Sequence, residues 1–141
     1  MFPKIDHIGI LTDDMEGVVK LFEGFLEVEA GRKETADTGF ARATFLHLEN
    51  IKIEVMQPYA PDHFYSKMLR ERGTCFSHIA FSTPDTNASG KKLEGKGARF
   101  IPGHAPGTRS GRGYNVAFLE PEETKNLLIQ LISEKPMGPA R

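Results

Sequence analysis

The chain has one cysteine in 141 residues, no tryptophan and no marked excess of charge of either sign. A single thiol, Cys75, excludes an intrachain disulfide and fits a reducing compartment. The 18 Lys and Arg stand against 19 Asp and Glu, for a formal net charge of -1. That balance gives no electrostatic drive toward nucleic acid or an anionic membrane surface. No apolar run approaches the roughly 20 residues that a spanning helix needs. The segment MFPKIDHIG has no basic stretch followed by an apolar one, so no signal peptide is expected. A soluble cytoplasmic protein with neither nucleic-acid nor membrane partners is the expectation.

What is present is a repeat. KIDHIGIL and FSHIAFST are both runs of strand formers with a histidine set into them, His7 and His78. A capped helical pattern follows the first, TDDMEGVVKLFEGFL, with Val18, Leu21, Phe22 and Phe25 at helical spacing. A weaker one, PDTNASGKKLEGKGA, follows the second. Each half then reads as a short strand with a loop and two further strands. ARATFLHLEN and IKIEVMQP close the first half; YNVAFLEP and NLLIQLIS close the second. The expected organisation is one α+β domain over 1–141. It divides into a β-α-β-β-β module over about 3–57, a linker helix over about 60–73, and a second such module over about 74–134.

The repeat carries chemistry at four positions. His7 and His78 are 71 residues apart. Glu54 in IKIEVM and Gln130 in LLIQLI are separated by a slightly longer interval, as a loop-length change would produce. Strand parity puts His7 with Gly9 and His78 with Ala80, small neighbours that leave room above each imidazole. Gln130 stands in a strand that is apolar on both faces, where an unpaired amide costs free energy. If the halves are related by a pseudo-twofold axis, the four residues converge at their junction. Two imidazoles, one carboxylate and one amide oxygen suit a six-coordinate divalent transition ion with two open positions. Such an ion polarises a carbonyl or enolate oxygen.

The blocks DHIGILTDDMEGVVKLFEGFL, IKIEVMQP, SHIAFST and GYNVAFLEPEETKNLLIQLIS, in that order, resemble the vicinal oxygen chelate superfamily of glyoxalases, bleomycin-resistance proteins and extradiol dioxygenases. Within it they are most similar to methylmalonyl-CoA epimerase-like proteins. The resemblance implies paired β-α-β-β-β modules with curved mixed sheets enclosing a metal site, and a homodimer. It places the metal ligands at His7, Glu54, His78 and Gln130, with Co, Ni, Zn, Mn or Fe as the ion. It also gives Glu54 and Gln130 the catalytic positions. The implied activity is a metal-dependent isomerase, epimerase or lyase working through a metal-stabilised enolate of a small acyl thioester or carbonyl substrate. Relatives of this kind carry glutamate on the last strand as ligand and proton-transfer base; here that position is Gln130, and the carboxylate is at Glu54.

Two other functions fit the same residues. His7, His78 and Glu54 form the two-histidine, one-carboxylate set of a non-haem iron dioxygenase of the extradiol type. A ligand-sequestering resistance protein would use the same cavity without chemistry. The remaining candidates read as structural. His47 alternates with apolar neighbours, and His63 and His104 lie in loop-like segments expected to be solvated. Cys75 reads as a buried thiol, Arg109 and Arg112 as part of a solvated Gly-rich loop, and Met56 and Phe118 as core or pocket wall.

Overall fold

The computed structural model describes residues 2–139. Its strands and helices are β1 (Lys4–Leu11), α1 (Met15–Lys20), β2 (Arg32–Asp37), β3 (Ala41–His47), β4 (Lys52–Pro58), α2 (Phe64–Arg72), β5 (Cys75–Thr83), α3 (Thr86–Glu94), β6 (Thr108–Arg109), β7 (Tyr114–Phe118) and β8 (Ile129–Pro136). The chain folds as two compact units. One runs from His7 to Ser77; the other contains the residues from His78 onward together with those up to Asp6.

In the first unit β4 pairs parallel with β1 and antiparallel with β3, and β3 pairs antiparallel with β2. The crossover from β1 to β4 passes through α1. Asp14 caps that helix by accepting a hydrogen bond from Gly17 N at 3.0 Å. The helix packs on the sheet through Met15, whose sulfur accepts a hydrogen bond from Thr44 Oγ1 at 3.5 Å. α1 ends sooner than the hydrophobic spacing suggests. Leu21–Phe25 is a π-helical turn, and Leu21, Phe25 and Leu26 are exposed rather than packed.

The second unit repeats the pattern. β8 pairs parallel with β5 and antiparallel with β7, and β7 pairs antiparallel with β6. Asp85 caps α3 through Ala88 N, as Asp14 caps α1. Asp14 and Asp85 are 71 residues apart, the interval that separates His7 from His78. The segment RFIPGHAPG is mostly loop, with an isolated bridge from Phe100 to Leu119 as its extended piece. α2 is two turns long, closed by Gly73 at φ +70°, a left-handed value glycine reaches without a Cβ clash. No helix among the described residues is long and apolar enough to cross a membrane.

Candidate functional site

In the first unit the strand registers set the site. Gly9 and Phe45 lie directly opposite Glu54 on its two sides. His7, two positions before Gly9, therefore shares a face with Glu54 and Phe45. The His7 ring meets Phe45 edge-on, with centroids 5.7 Å apart. His7 Nε2 and Glu54 Oε1 are 3.4 Å apart, with the side chains 2% and 8% exposed. A carboxylate this far out of water is retained only when paired with a hydrogen-bond donor or a cation.

Residue for residue, the second unit repeats this row. Ala80 and Phe118 lie opposite Gln130, and His78 stands two positions before Ala80. The His78 ring meets Phe118 edge-on at 5.4 Å. His78 and Gln130 are both buried. The amide oxygen of Gln130 has no hydrogen-bond partner among the described residues. Burying a carbonyl oxygen unsatisfied costs about 1–3 kcal/mol. Phe118, read in the sequence as core or pocket wall, is the ring against which His78 rests.

Several residues near these rows were not evident as site residues. Tyr65 of α2 is buried, and its phenol is pushed well above its ordinary pKa, first by burial and then by the negative charge of Glu54. Glu34 lies opposite Phe45 on the side away from Glu54, and its carboxylate is 2.9 Å from His47 Nε2. His63 and His104 are not solvated loop residues as expected. His63 stacks on Phe40 at 3.8 Å, and its Nδ1 accepts a hydrogen bond from Tyr65 N at the start of α2. His104 lies half-buried against Phe118 at 5.7 Å, and burial lowers its pKa. Cys75 is half-buried, with its thiol pKa raised by burial. The Gly-rich loop arginines are engaged locally. Arg109 donates to the Gly138 carbonyl at 2.8 Å, and Arg112 lies over the Tyr114 ring.

Two β-α-β-β-β units, each burying an imidazole and an oxygen donor on one face, define a glyoxalase-like fold. The chain matches the Glyoxalase/Bleomycin resistance protein/Dioxygenase superfamily over residues 6–118, and it belongs to that superfamily. It is similar to the ethylmalonyl-CoA/methylmalonyl-CoA epimerase of Cereibacter sphaeroides, with 24% identity covering 93% of this chain and 98% of that one. It is also 25% identical to the uncharacterized protein YqjC of Bacillus subtilis, over 94% of this chain and 93% of the relative. Among solved structures, methylmalonyl-CoA epimerase from Mycobacterium tuberculosis superposes with a TM-score of 0.80 at 22% identity, over 96% of this chain and 90% of that one. The same TM-score, 0.80, is found at 24% identity for a variant of the Streptomyces coelicolor methylmalonyl-CoA epimerase in complex with 2-nitronate-propionyl-CoA, over 99% and 100% of the two chains. These likenesses establish the fold.

Proposed function

We propose that this protein is a metal-dependent epimerase-type enzyme that moves the proton α to the carbonyl of an acyl-CoA thioester. In this reading His7, Glu54, His78 and Gln130 hold one divalent ion. The observation that carries it is the Gln130 amide oxygen, buried and without an internal donor. Its counterpart by strand register is the buried Glu54 carboxylate, 3.4 Å from an imidazole nitrogen. Two nitrogen and two oxygen donors suit Co, Ni, Zn, Mn or Fe better than an ion that prefers oxygen alone. Bound there, such an ion supplies Lewis-acid polarisation of a carbonyl oxygen. The acyl-CoA substrate class follows the similarity to epimerases of ethylmalonyl-CoA and methylmalonyl-CoA.

The four residues divide the work by chemistry. His7 and His78 each pack perpendicular to a phenylalanine ring, Phe45 and Phe118. Gln130 is neutral at any working pH and acts as an oxygen donor only. Glu54 is the one carboxylate of the set, so the proton-transfer role falls to it. A proton leaves the α-carbon for the Glu54 carboxylate, the C–H electron pair moves toward the carbonyl oxygen, and the proton returns.

The test is isotope exchange at saturating metal. Methylmalonyl-CoA incubated in deuterated water with the metal-loaded protein should gain deuterium at its α-carbon. Glu54→Gln should slow that gain by about 10²–10⁴-fold, the usual worth of a general base. Exchange at the unmodified rate in Glu54→Gln places the base elsewhere. The set of two imidazoles and one carboxylate also favours an extradiol-type dioxygenase. Oxygen uptake by the iron-loaded protein presented with a catechol, without any thioester exchange, supports that second reading instead.

A further inference from the structure

Epimerisation needs a second group able to hold a proton, and Gln130 cannot be that group. We propose that His104 is a catalytic residue of this site: its imidazole exchanges the substrate α-proton alongside Glu54. The inference rests on the functional reading above and deepens it.

Local backbone chemistry puts His104 where it is. Ile101-Pro102-Gly103-His104 makes a tight turn in which His104 N donates to the Ile101 carbonyl at 2.8 Å. Proline at the second position presets φ, and Gly103 adopts φ +81° at the third, as a type II turn requires. Both ends of that turn then bond to one residue of β7. Ile101 N donates to the Phe118 carbonyl at 2.9 Å, and Phe118 N donates to the His104 carbonyl at 2.9 Å. His104 is thus tied to the strand position that stands opposite Gln130.

The side chains extend the same row. Phe118 and Gln130 face the same way because they are directly paired across antiparallel strands. His78 touches the Phe118 ring edge-on at 5.4 Å, and His104 touches it edge-on at 5.7 Å. The two imidazoles flank one phenylalanine and lie no further apart than the sum of those two distances. His78 is the proposed ligand of this unit, and His104 contacts the same aromatic ring, which shares its face with Gln130. The His104 ring is half-buried, and burial lowers its pKa, which favours the neutral form that can accept a proton.

The step balances with water as the only other proton donor and acceptor. The α C–H bond breaks, an N–H bond forms on the imidazole, and the electron pair passes to the carbonyl oxygen. Return of the proton from His104 restores the original configuration; inversion follows when Glu54 has first taken a proton from water and delivers it to the opposite face, after which the His104 imidazolium gives its proton back to water. No electron is lost or gained.

The experiment compares the wild type with His104→Gln, which preserves a similar size and hydrogen-bonding capacity. Metal content, deuterium gain by methylmalonyl-CoA, inversion at its α-carbon, and KM are measured at saturating Co. The expected result is a fall of about 10²–10⁴-fold in kcat for epimerisation, while Glu54-dependent deuterium gain persists and metal content and KM are unchanged. His104→Phe should show the same loss, while a purely structural role predicts that His104→Gln stays near wild type. An epimerising wild type and a His104→Gln that epimerises equally fast overturn this inference alone. A wild type that takes up metal but exchanges nothing overturns the functional reading, and this inference with it.

Discussion

Glu54 and Gln130 hold equivalent register positions in the two units, yet their surroundings differ. Glu54 has an imidazole nitrogen 3.4 Å away; the Gln130 oxygen has no hydrogen-bond partner among the described residues. The amide is therefore a stability cost in the metal-free protein, and this gives a sharp expectation. Gln130→Leu keeps the volume close and removes the orphaned oxygen. In metal-free protein it should be neutral or stabilising by up to about 1–3 kcal/mol, read as an unchanged or raised denaturation midpoint. The same variant should bind metal more weakly. Destabilisation of the metal-free form would mean that Gln130 is held by the fold rather than waiting for a ligand. Strand parity and the repeat both single out His7, Glu54, His78 and Gln130 as candidates in the sequence. His104 is not singled out, because a Gly/Pro loop has no period from which to read where a side chain points. Its partner Phe118 is distant enough in sequence that only the folded turn brings the two together. Tyr65 escaped for a related reason. It sits in a short amphipathic helix, where an aromatic reads as packing, and its placement depends on the fold that brings the segment before α2 back to Phe40.

At the scale of elements, α3 and the loop before β6 are coupled by a glycine. A Cβ built on Gly90 would collide with Pro106 Cγ and lie 3.4 Å from the Phe100 ring. Alanine in the middle of a helix ordinarily stabilises it by up to about 1 kcal/mol relative to glycine. Here the close approach reverses the sign. Gly90→Ala should destabilise by about 1–3 kcal/mol through overpacking, measurable by chemical denaturation. It should also slow epimerisation, because Pro106 lies two residues from His104 and the displaced loop carries the imidazole with it. A Gly90→Ala protein at least as stable as wild type would show that the loop yields freely and does not position His104. The element order was readable in the sequence because the β-α-β-β-β blocks alternate clear strand and helix periods. The ends were less so. α1 stops at Lys20 because the chain unwinds into a π turn, leaving Leu21 and Phe25 exposed although their spacing predicts a buried stripe. β6 shrinks to two residues because its neighbours Pro106 and Gly107 interrupt the ladder.

Taken as a whole, the chain builds the same row twice: histidine, small residue, oxygen donor, phenylalanine. His7, Gly9, Glu54 and Phe45 form it in one unit; His78, Ala80, Gln130 and Phe118 form it in the other. The caps Asp14 and Asp85 repeat along with it. Duplication accounts for the regularity, and the exchange of carboxylate for amide between the rows accounts for the chemical asymmetry. The central claim is that these two rows supply the ligands of one divalent ion. Equilibrium metal binding, measured calorimetrically with Co on the metal-free wild type and on the His7→Ala, His78→Ala double variant, tests it most directly. Loss of groups that merely orient a ligand typically costs 10–100-fold in affinity, so removing both imidazoles should cost more than about 100-fold. The account predicts one ion per chain in the wild type and no measurable binding in the folded double variant; undiminished binding in that variant would contradict it.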